Sequence, residues 1–177
     1  GPGRAWGRAK ISCDVLAEKT EAMPTLISRE EALARIVAEG SRPPCLMCAI
    51  LEGGVGALHV VHEDPELVLM LPRYVRSWGH VLIVPRAHVT TFGDVTETLW
   101  GRIYSMAHRA AKMVEAVQSP KRVYVTSTGS STVELVQSSR HMHVHVIPVH
   151  TEEDRPSAIF SWQEGVYVGE PAEWEAL

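Results

Sequence analysis

One short segment, residues 141–148, reads HMHVHVIP and alternates histidine with apolar residues. Successive side chains of a β-strand point to opposite faces, so the alternation predicts a strand over residues 142–149. We expect His141, His143 and His145 to share one face, about 7 Å apart from a rise of ~3.3 Å per residue. Imidazoles at this spacing offer a nucleophile, a hydrogen-bonding partner or a metal ligand, while a solvated face or a structural metal site remains an open alternative.

The chain around this segment alternates between strand-like and helical patterns. Residues 57–62, 67–71 and 80–84 are apolar stretches that predict a meander of three strands. Apolar residues at helical spacing between positions 99 and 117 predict one long helix, and a capping-box sequence at Ser28 predicts a short N-terminal helix. The sum is an α+β fold with a mostly antiparallel sheet.

Composition and charge exclude several classes of protein. The 177 residues are 45% hydrophobic and 21% charged, which argues against a disordered, collagenous or coiled-coil chain. A net charge of −4 gives no electrostatic basis for binding nucleic acid or a membrane surface. No apolar run reaches the ~20 residues needed to span a bilayer, and the N-terminus lacks a secretory signal. We therefore expect a cytoplasmic protein with a small-molecule ligand.

The two ends of the chain differ from its middle. It begins Gly-Pro-Gly without a methionine, which is typical of a cloning remnant, so we expect residues 1–22 to be that remnant and a flexible segment. Residues 23–177 are expected to form a single domain that ends in a C-terminal tail. Trp162 and Trp174 in this tail could cover a sheet edge, reach a partner subunit or pack in the core.

Cys45 and Cys48 form a C-x-x-C pair directly after two prolines, which predicts a turn where two thiolates converge. Three cysteines are too few for a disulfide framework. A redox pair is expected near a βαβ pattern, which is lacking here, so zinc is favoured over redox use or an incidental pair of thiols. A closed zinc site needs two more ligands from elsewhere in the chain.

The segment GHVLIVPRAH, residues 79–88, together with the H-x-H-x-H strand resembles the histidine triad (HIT) superfamily. The similarity covers roughly residues 45–148. It implies a HIT-like domain that commonly pairs into a homodimer by continuing its sheet. It also implies a nucleotide hydrolase or nucleotidyltransferase that attacks the α-phosphate of a nucleoside phosphate derivative.

The resemblance also implies roles for individual residues. His143 would be the nucleophile that forms a transient nucleotidyl-histidine, and His145 and His80 would support it. A buried core histidine is the plain alternative for His80. Gln137 and Ser138 would bind the phosphate or protonate the leaving group, unless they belong to an ordinary polar loop.

In some members of the superfamily, two histidines complete a zinc site that begins with a C-x-x-C pair. At the corresponding positions this chain has His88 and His141. The resemblance thus implies a structural zinc held by these histidines with Cys45 and Cys48.

Two positions depart from the superfamily pattern. Pro72 stands where an aspartate or asparagine usually holds the ribose hydroxyls, and residues 133–136 are not the usual glycine-rich phosphate loop. Arg73 and Arg76 could contact phosphate instead, although a solvated surface role is the first expectation for both.

Three alternatives to the hydrolase or nucleotidyltransferase remain open. One is a phosphorylase-like enzyme that cleaves dinucleoside polyphosphates with phosphate as the acceptor. Another is a non-catalytic, zinc-containing nucleotide-binding or scaffold protein of the same fold. The third is a catalytic metal bound by the triad itself, which predicts more than one metal per chain.

Overall fold

The computed structural model describes residues 24–39, 45–128 and 139–177. The predicted α+β fold with an antiparallel sheet and one long helix is confirmed. The helices are α1 (Arg29–Glu39), α2 (Leu46–Leu51), α3 (Glu97–Gln118), α4 (Pro156–Ser161) and α5 (Pro171–Ala176). The strands are β1 (Thr25–Ile27), β2 (His59–Glu63), β3 (Leu67–Leu71), β4 (Val81–Pro85), β5 (Arg122–Thr126), β6 (Val144–Val149) and β7 (Val166–Val168).

The main sheet has five antiparallel strands in the order β2-β3-β4-β6-β5. The predicted meander is its first half, and the histidine strand β6 lies between β4 and β5. This order places His145 directly opposite Leu82 of β4 and Thr126 of β5. A histidine in the interior of the sheet is held by neighbours on both sides, which fixes the direction of its side chain.

The sheet is covered on both faces, which explains its continuous apolar runs. On one face, α3 packs against the strands through Ile103, Met106 and Ala110. On the other face, Met47 and Ile50 of α2 pack against residues of β3 and β4. All five residues of β3 and all five of β4 are buried as a result.

The C-x-x-C pair begins a helix, whereas the sequence predicts a turn. Cys45 is the N-cap of α2, and its Sγ accepts a hydrogen bond from the Cys48 backbone N–H at 3.1 Å. The six residues of α2 are almost entirely apolar, so burial against the sheet favours one helical turn over an open loop. This turn still brings the two thiols to the same side of the sheet.

A second sheet of two strands, β1 and β7, joins the two ends of the domain. Sequence analysis does not predict it, because a strand of three residues carries too little periodicity. The tail continues into α5, where Trp174 stacks on Trp78 at a centroid distance of 4.2 Å. Trp174 is 6% exposed, so of its three predicted roles core packing is confirmed.

Among the residues described, no helix is both long enough and apolar enough to cross a lipid bilayer.

Candidate active site and metal centre

Three of the predicted site histidines line one cavity beside the sheet: His80, His143 and His145. His145 lies in β6, while His141 and His143 precede that strand, so the predicted strand begins two residues later than expected. The neighbouring His143 and His145 rings still meet, with centroids 4.7 Å apart. His141 is fully buried and belongs to a separate cluster with the cysteines.

The tautomer of His143 is set by the backbone. Its Nδ1 lies 2.7 Å from the His141 carbonyl oxygen, which can only accept, so Nδ1 carries the proton and donates. In the neutral ring Nε2 is then unprotonated and has a lone pair. The imidazole is 7% exposed and lines the cavity, so its orientation is fixed before any ligand binds.

His80 and His145 form a buried pair in which one ring nitrogen donates to the other. The His80 Nε2 and His145 Nδ1 atoms are 2.9 Å apart. Burial, and then the nearby His143, lowers the pKa of His80 to about 3. Burial and the two neighbouring histidines also hold the pKa of His145 well below its usual range. Both rings are therefore neutral at physiological pH.

One ring nitrogen of this pair has no hydrogen-bond partner among the described residues. His145 Nε2 is buried, and no group in the described part of the chain makes a hydrogen bond to it. Buried polar atoms in native proteins nearly always have a partner, so an exception calls for an explanation. Since His145 lines the cavity with His143, a ligand group bound there would be in position to satisfy it.

Four other residues form a compact cluster: Cys45, Cys48, His88 and His141, whose ligand atoms all lie within 4.8 Å of one another. They come from the start of α2, the segment after β4 and the segment before β6. The His141 Nδ1 atom lies 3.6 Å from Cys45 Sγ and 3.4 Å from Cys48 Sγ. Cys48 Sγ also lies 3.3 Å from His88 Nδ1.

These distances fit a tetrahedral metal site. With Zn–S near 2.3 Å and Zn–N near 2.0 Å, sulfur and nitrogen ligands of one zinc ion stand roughly 3.5 Å apart. Protein groups alone disfavour a thiolate here, because burial, and then Cys45, raises the pKa of Cys48 to about 12. A divalent cation would offset that effect, since a thiol that coordinates a metal loses its proton. The Cys2His2 cluster therefore suits zinc.

His141 connects this cluster to the cavity. Its Nε2 donates to the Pro85 carbonyl oxygen at 2.7 Å, which leaves Nδ1 as the nitrogen that can bind a metal. Burial lowers the pKa of His141 to about 4, so the ring is neutral, as a ligand must be. The backbone carbonyl oxygen of the same residue accepts the hydrogen bond that His143 Nδ1 donates. One residue thus faces the metal cluster with its side chain and the candidate nucleophile with its backbone.

The rest of the cavity wall includes residues that sequence analysis does not assign to the site. Aromatic side chains from the C-terminal tail, Phe160 and Trp162, line the cavity together with Tyr74. For Trp162 the sequence shows only that it lies in the tail, where it could cover a sheet edge, reach a partner subunit or pack in the core. Pro72 lines the same cavity, and its side chain offers no hydrogen-bond acceptor for a sugar.

The solvated surface role expected for Arg73 and Arg76 is wrong. Both side chains line the cavity and are only 16% exposed. Arg73 pairs with Glu39, and Arg76 pairs with Glu164. Each of these guanidinium groups in the cavity wall is thus already paired with a carboxylate.

Two predicted substrate-binding residues, Gln137 and Ser138, lie outside the described residues, as do residues 133–136. Their assignment to the phosphate stays a prediction.

Comparison with known proteins gives a consistent result. A family model described as "HIT domain" matches residues 56–152. An uncharacterised HIT-like protein of Saccharolobus solfataricus is 24% identical over 110 residues, which are 62% of this chain and 76% of that protein. AP-4-A phosphorylase of Mycobacterium tuberculosis is 28% identical over 94 residues, which are 50% of this chain and 45% of that enzyme. The chain therefore spans less than half of the phosphorylase.

One solved structure carries the same fold with a metal. A zinc-bound histidine triad family protein from Mycobacterium smegmatis aligns with a TM-score of 0.56 at 19% identity, over 75% of this chain and 87% of that one. At this identity the likeness shows the shared fold alone.

Proposed function

This chain belongs to the histidine triad (HIT) domain family, and on that premise we propose that it is a nucleotide hydrolase or nucleotidyltransferase that reacts through a covalent nucleotidyl-histidine. The observation that supports this most directly is the tautomer of His143. The hydrogen bond from its Nδ1 to the His141 carbonyl leaves a lone pair on Nε2 beside the cavity. An oriented imidazole whose Nε2 carries no proton is a competent nucleophile.

In the proposed reaction, His143 Nε2 attacks the α-phosphorus of a nucleoside phosphate derivative. A P–N bond forms as the bond from phosphorus to the leaving group breaks, and the leaving group departs with the electron pair and takes up a proton. Water then attacks the same phosphorus and loses a proton to the solvent as the P–O bond forms. The P–N bond breaks, its electron pair returns to His143 Nε2, and a nucleoside monophosphate is released. The covalent intermediate divides one difficult displacement into two easier steps.

His80 and His145 are proposed to position and stabilise the phosphoryl group. If His80 donates to His145 Nδ1, the neutral His145 ring carries its own proton on Nε2, the buried atom without a partner. That N–H would donate to a phosphate oxygen as negative charge develops there. Gln137 and Ser138 are proposed to supply further donors to the phosphate or a proton to the leaving group.

Zinc is proposed as a structural ion held by Cys45, Cys48, His88 and His141. When bound, the ion would cross-link distant segments of the chain, and its positive charge would stabilise the two thiolates. The side chain of His141 is thereby fixed, and its carbonyl with it, which keeps the hydrogen bond to His143 in place. All four ligands would be protein groups, so the site leaves no open position for substrate.

The acceptor in the second step distinguishes two versions of the function. Water gives hydrolysis, whereas inorganic phosphate gives phosphorolysis and a nucleoside diphosphate. The similarity to AP-4-A phosphorylase favours phosphate as the second candidate acceptor. We further propose that the protein acts in the cytoplasm as a homodimer on a small-molecule nucleotide, with no role for nucleic acid or membranes.

The test is intact-protein mass spectrometry under denaturing, non-acidic conditions, because the P–N bond to histidine is acid-labile. The protein is mixed briefly with adenosine and guanosine phosphoramidates and dinucleoside polyphosphates, with and without inorganic phosphate. His143→Ala removes the nucleophile. His62→Ala is the matched control, since His62 is exposed on β2 and does not line the cavity.

A nucleoside monophosphate adduct on the wild type and on His62→Ala, absent from His143→Ala, would support the covalent route. A nucleoside diphosphate formed only with phosphate would identify the phosphorylase-like version. Equal, low turnover by all three proteins without an adduct would refute the enzyme and favour a non-catalytic binding protein. More than one zinc per chain would instead point to a metal at the triad.

A further inference from the structure

The C-terminal strap, residues 155–168, forms one wall of the cavity that holds the triad histidines. It contains α4 and β7 and lies beyond residues 56–152, which match the family model. Strand β7 pairs with β1, and Arg29 Nε of α1 donates to the Ser161 carbonyl oxygen at 3.1 Å. The strap is therefore fixed to the N-terminal elements of the domain.

Two aromatic residues of the strap line the cavity at different places. The Phe160 ring meets the His145 ring edge-on, with centroids 5.1 Å apart, beside the reactive histidines. The Trp162 ring lies two residues further along and faces Tyr74 at a centroid distance of 6.4 Å. Apolar side chains line the same cavity: Ile36, Met47, Ile50, Met70, Pro72 and Leu82. The cavity thus combines the triad histidines with an apolar and aromatic lining.

The backbone at Trp162 is unusual. It has φ 58° and ψ 19°, the left-handed conformation in which α4 ends. Glycine or asparagine is the usual residue at such a helix end, because a bulky side chain is disfavoured there. Among the described residues, Ser119 is the only other non-glycine residue with positive φ. An aromatic residue kept in a disfavoured conformation in a cavity wall points to a role for its ring.

We propose that Trp162 is a substrate-binding residue whose indole stacks on the base of the bound nucleotide, and so selects nucleotides over phosphates that lack a base. The inference rests on the proposed function, which places the α-phosphate at His143. A phosphate at His143 leaves the nucleoside to occupy the rest of the cavity, where Tyr74 and Trp162 offer aromatic rings next to each other. Stacking uses the π-face that every base has, so the site would take nucleoside 5′-phosphates with little preference among bases.

The test compares a nucleotide with the same phosphate lacking its base. Calorimetry would measure the affinities of AMP, GMP, CMP and UMP, with ribose 5-phosphate as the base-free reference. The proteins are the wild type, Trp162→Ala, Trp162→Phe and Trp162→Gly. Glycine adopts a positive φ without strain, so Trp162→Gly removes the ring and still tests the proposal if Trp162→Ala fails to fold. Trp100→Ala is the control, because Trp100 packs between Phe92 and Tyr104, away from the cavity.

We expect Trp162→Ala and Trp162→Gly to weaken AMP binding roughly 5- to 150-fold, the range of base–aromatic stacking measured by alanine substitution. Ribose 5-phosphate affinity should be unchanged, Trp162→Phe should recover most of the loss, and all four nucleotides should bind the wild type. Equal losses for AMP and ribose 5-phosphate, or no loss, would overturn the stacking role. If the wild type forms the histidine adduct yet Trp162 variants bind AMP normally, only this inference fails. If the wild type binds no ligand and forms no adduct, the proposed function fails with it.

Discussion

Replacing His80 with glutamine should make the free energy of unfolding less dependent on pH in the acidic range. The wild-type ring is neutral when folded, with a pKa of about 3, whereas a histidine in the unfolded chain titrates near 6.5. Between these two values the unfolded state binds a proton that the folded state does not. The free energy of unfolding therefore falls as the pH drops below 6.5 and recovers as the pH rises above it.

The size of the effect follows from the two pKa values. At pH 5, 1.5 units below the unfolded value, the unfolded state gains about 2 kcal/mol from protonation of this one histidine. At pH 7.5 the gain is negligible. Glutamine retains a polar group opposite His145 Nδ1 but does not titrate. We therefore expect the loss of stability between pH 7.5 and pH 5 to be about 2 kcal/mol smaller in the variant.

Urea unfolding monitored by tryptophan fluorescence at both pH values measures this difference. All samples contain the same concentration of zinc, so that release of the metal on unfolding contributes equally to the free energy of unfolding of each protein. His108→Gln, at an exposed position of α3, is the control and should behave as the wild type. The same pH dependence in the wild type and in His80→Gln would show that His80 is not held neutral by burial, and the argument for a neutral histidine pair would fail.

Four further outcomes are expected. Cys48→Ser should lower the zinc content, measured by atomic emission, well below the one ion per chain expected for the wild type, because two of the cluster distances involve its Sγ. Gly165→Ala should reduce the free energy of unfolding by at least about 2 kcal/mol, since Gly165 has φ 85° and a Cβ there would overlap the Ile27 carbonyl. Gly101→Ala, inside α3 with open space around it, should instead raise stability by about 0.5–1 kcal/mol; urea titrations that give both glycine variants the same sign would contradict the argument. Ile83→Ala, at a fully buried position of β4, should cost about 2–5 kcal/mol in the same titration.

The main sheet and the position of the candidate site could be predicted because their signals are long or repeated. The five-residue strands β3 and β4 are continuous apolar runs, and α3 carries helical periodicity over six turns. The histidines alternate with apolar residues in the sequence, and this period of two predicts that His143 and His145 lie side by side, as their rings do. Cys45 and Cys48 could be grouped with His88 and His141 through the family resemblance, and the structure brings the four together.

The strap could not be predicted, for reasons that are equally physical. Strands β1 and β7 have three residues each, which is too short to display a period. Their pairing depends on packing between the two ends of the chain and leaves no local pattern. Trp162 adopts a conformation that its residue type disfavours, so propensity argues against its observed place. The ion pairs of Arg73 and Arg76 likewise join segments that are far apart in sequence.

The pairing of β1 with β7 also constrains when the site can form. Ile27 and Val166 are partners although 139 positions separate them. Closing so long a loop is entropically costly until other contacts have shortened it, so this pairing is expected late in folding. On the ribosome the strap also emerges after the last strand of the central sheet, β6, which ends at Val149. The cavity would therefore gain its aromatic wall only after the central sheet has assembled, and the triad histidines would be in place before the site could close around a ligand.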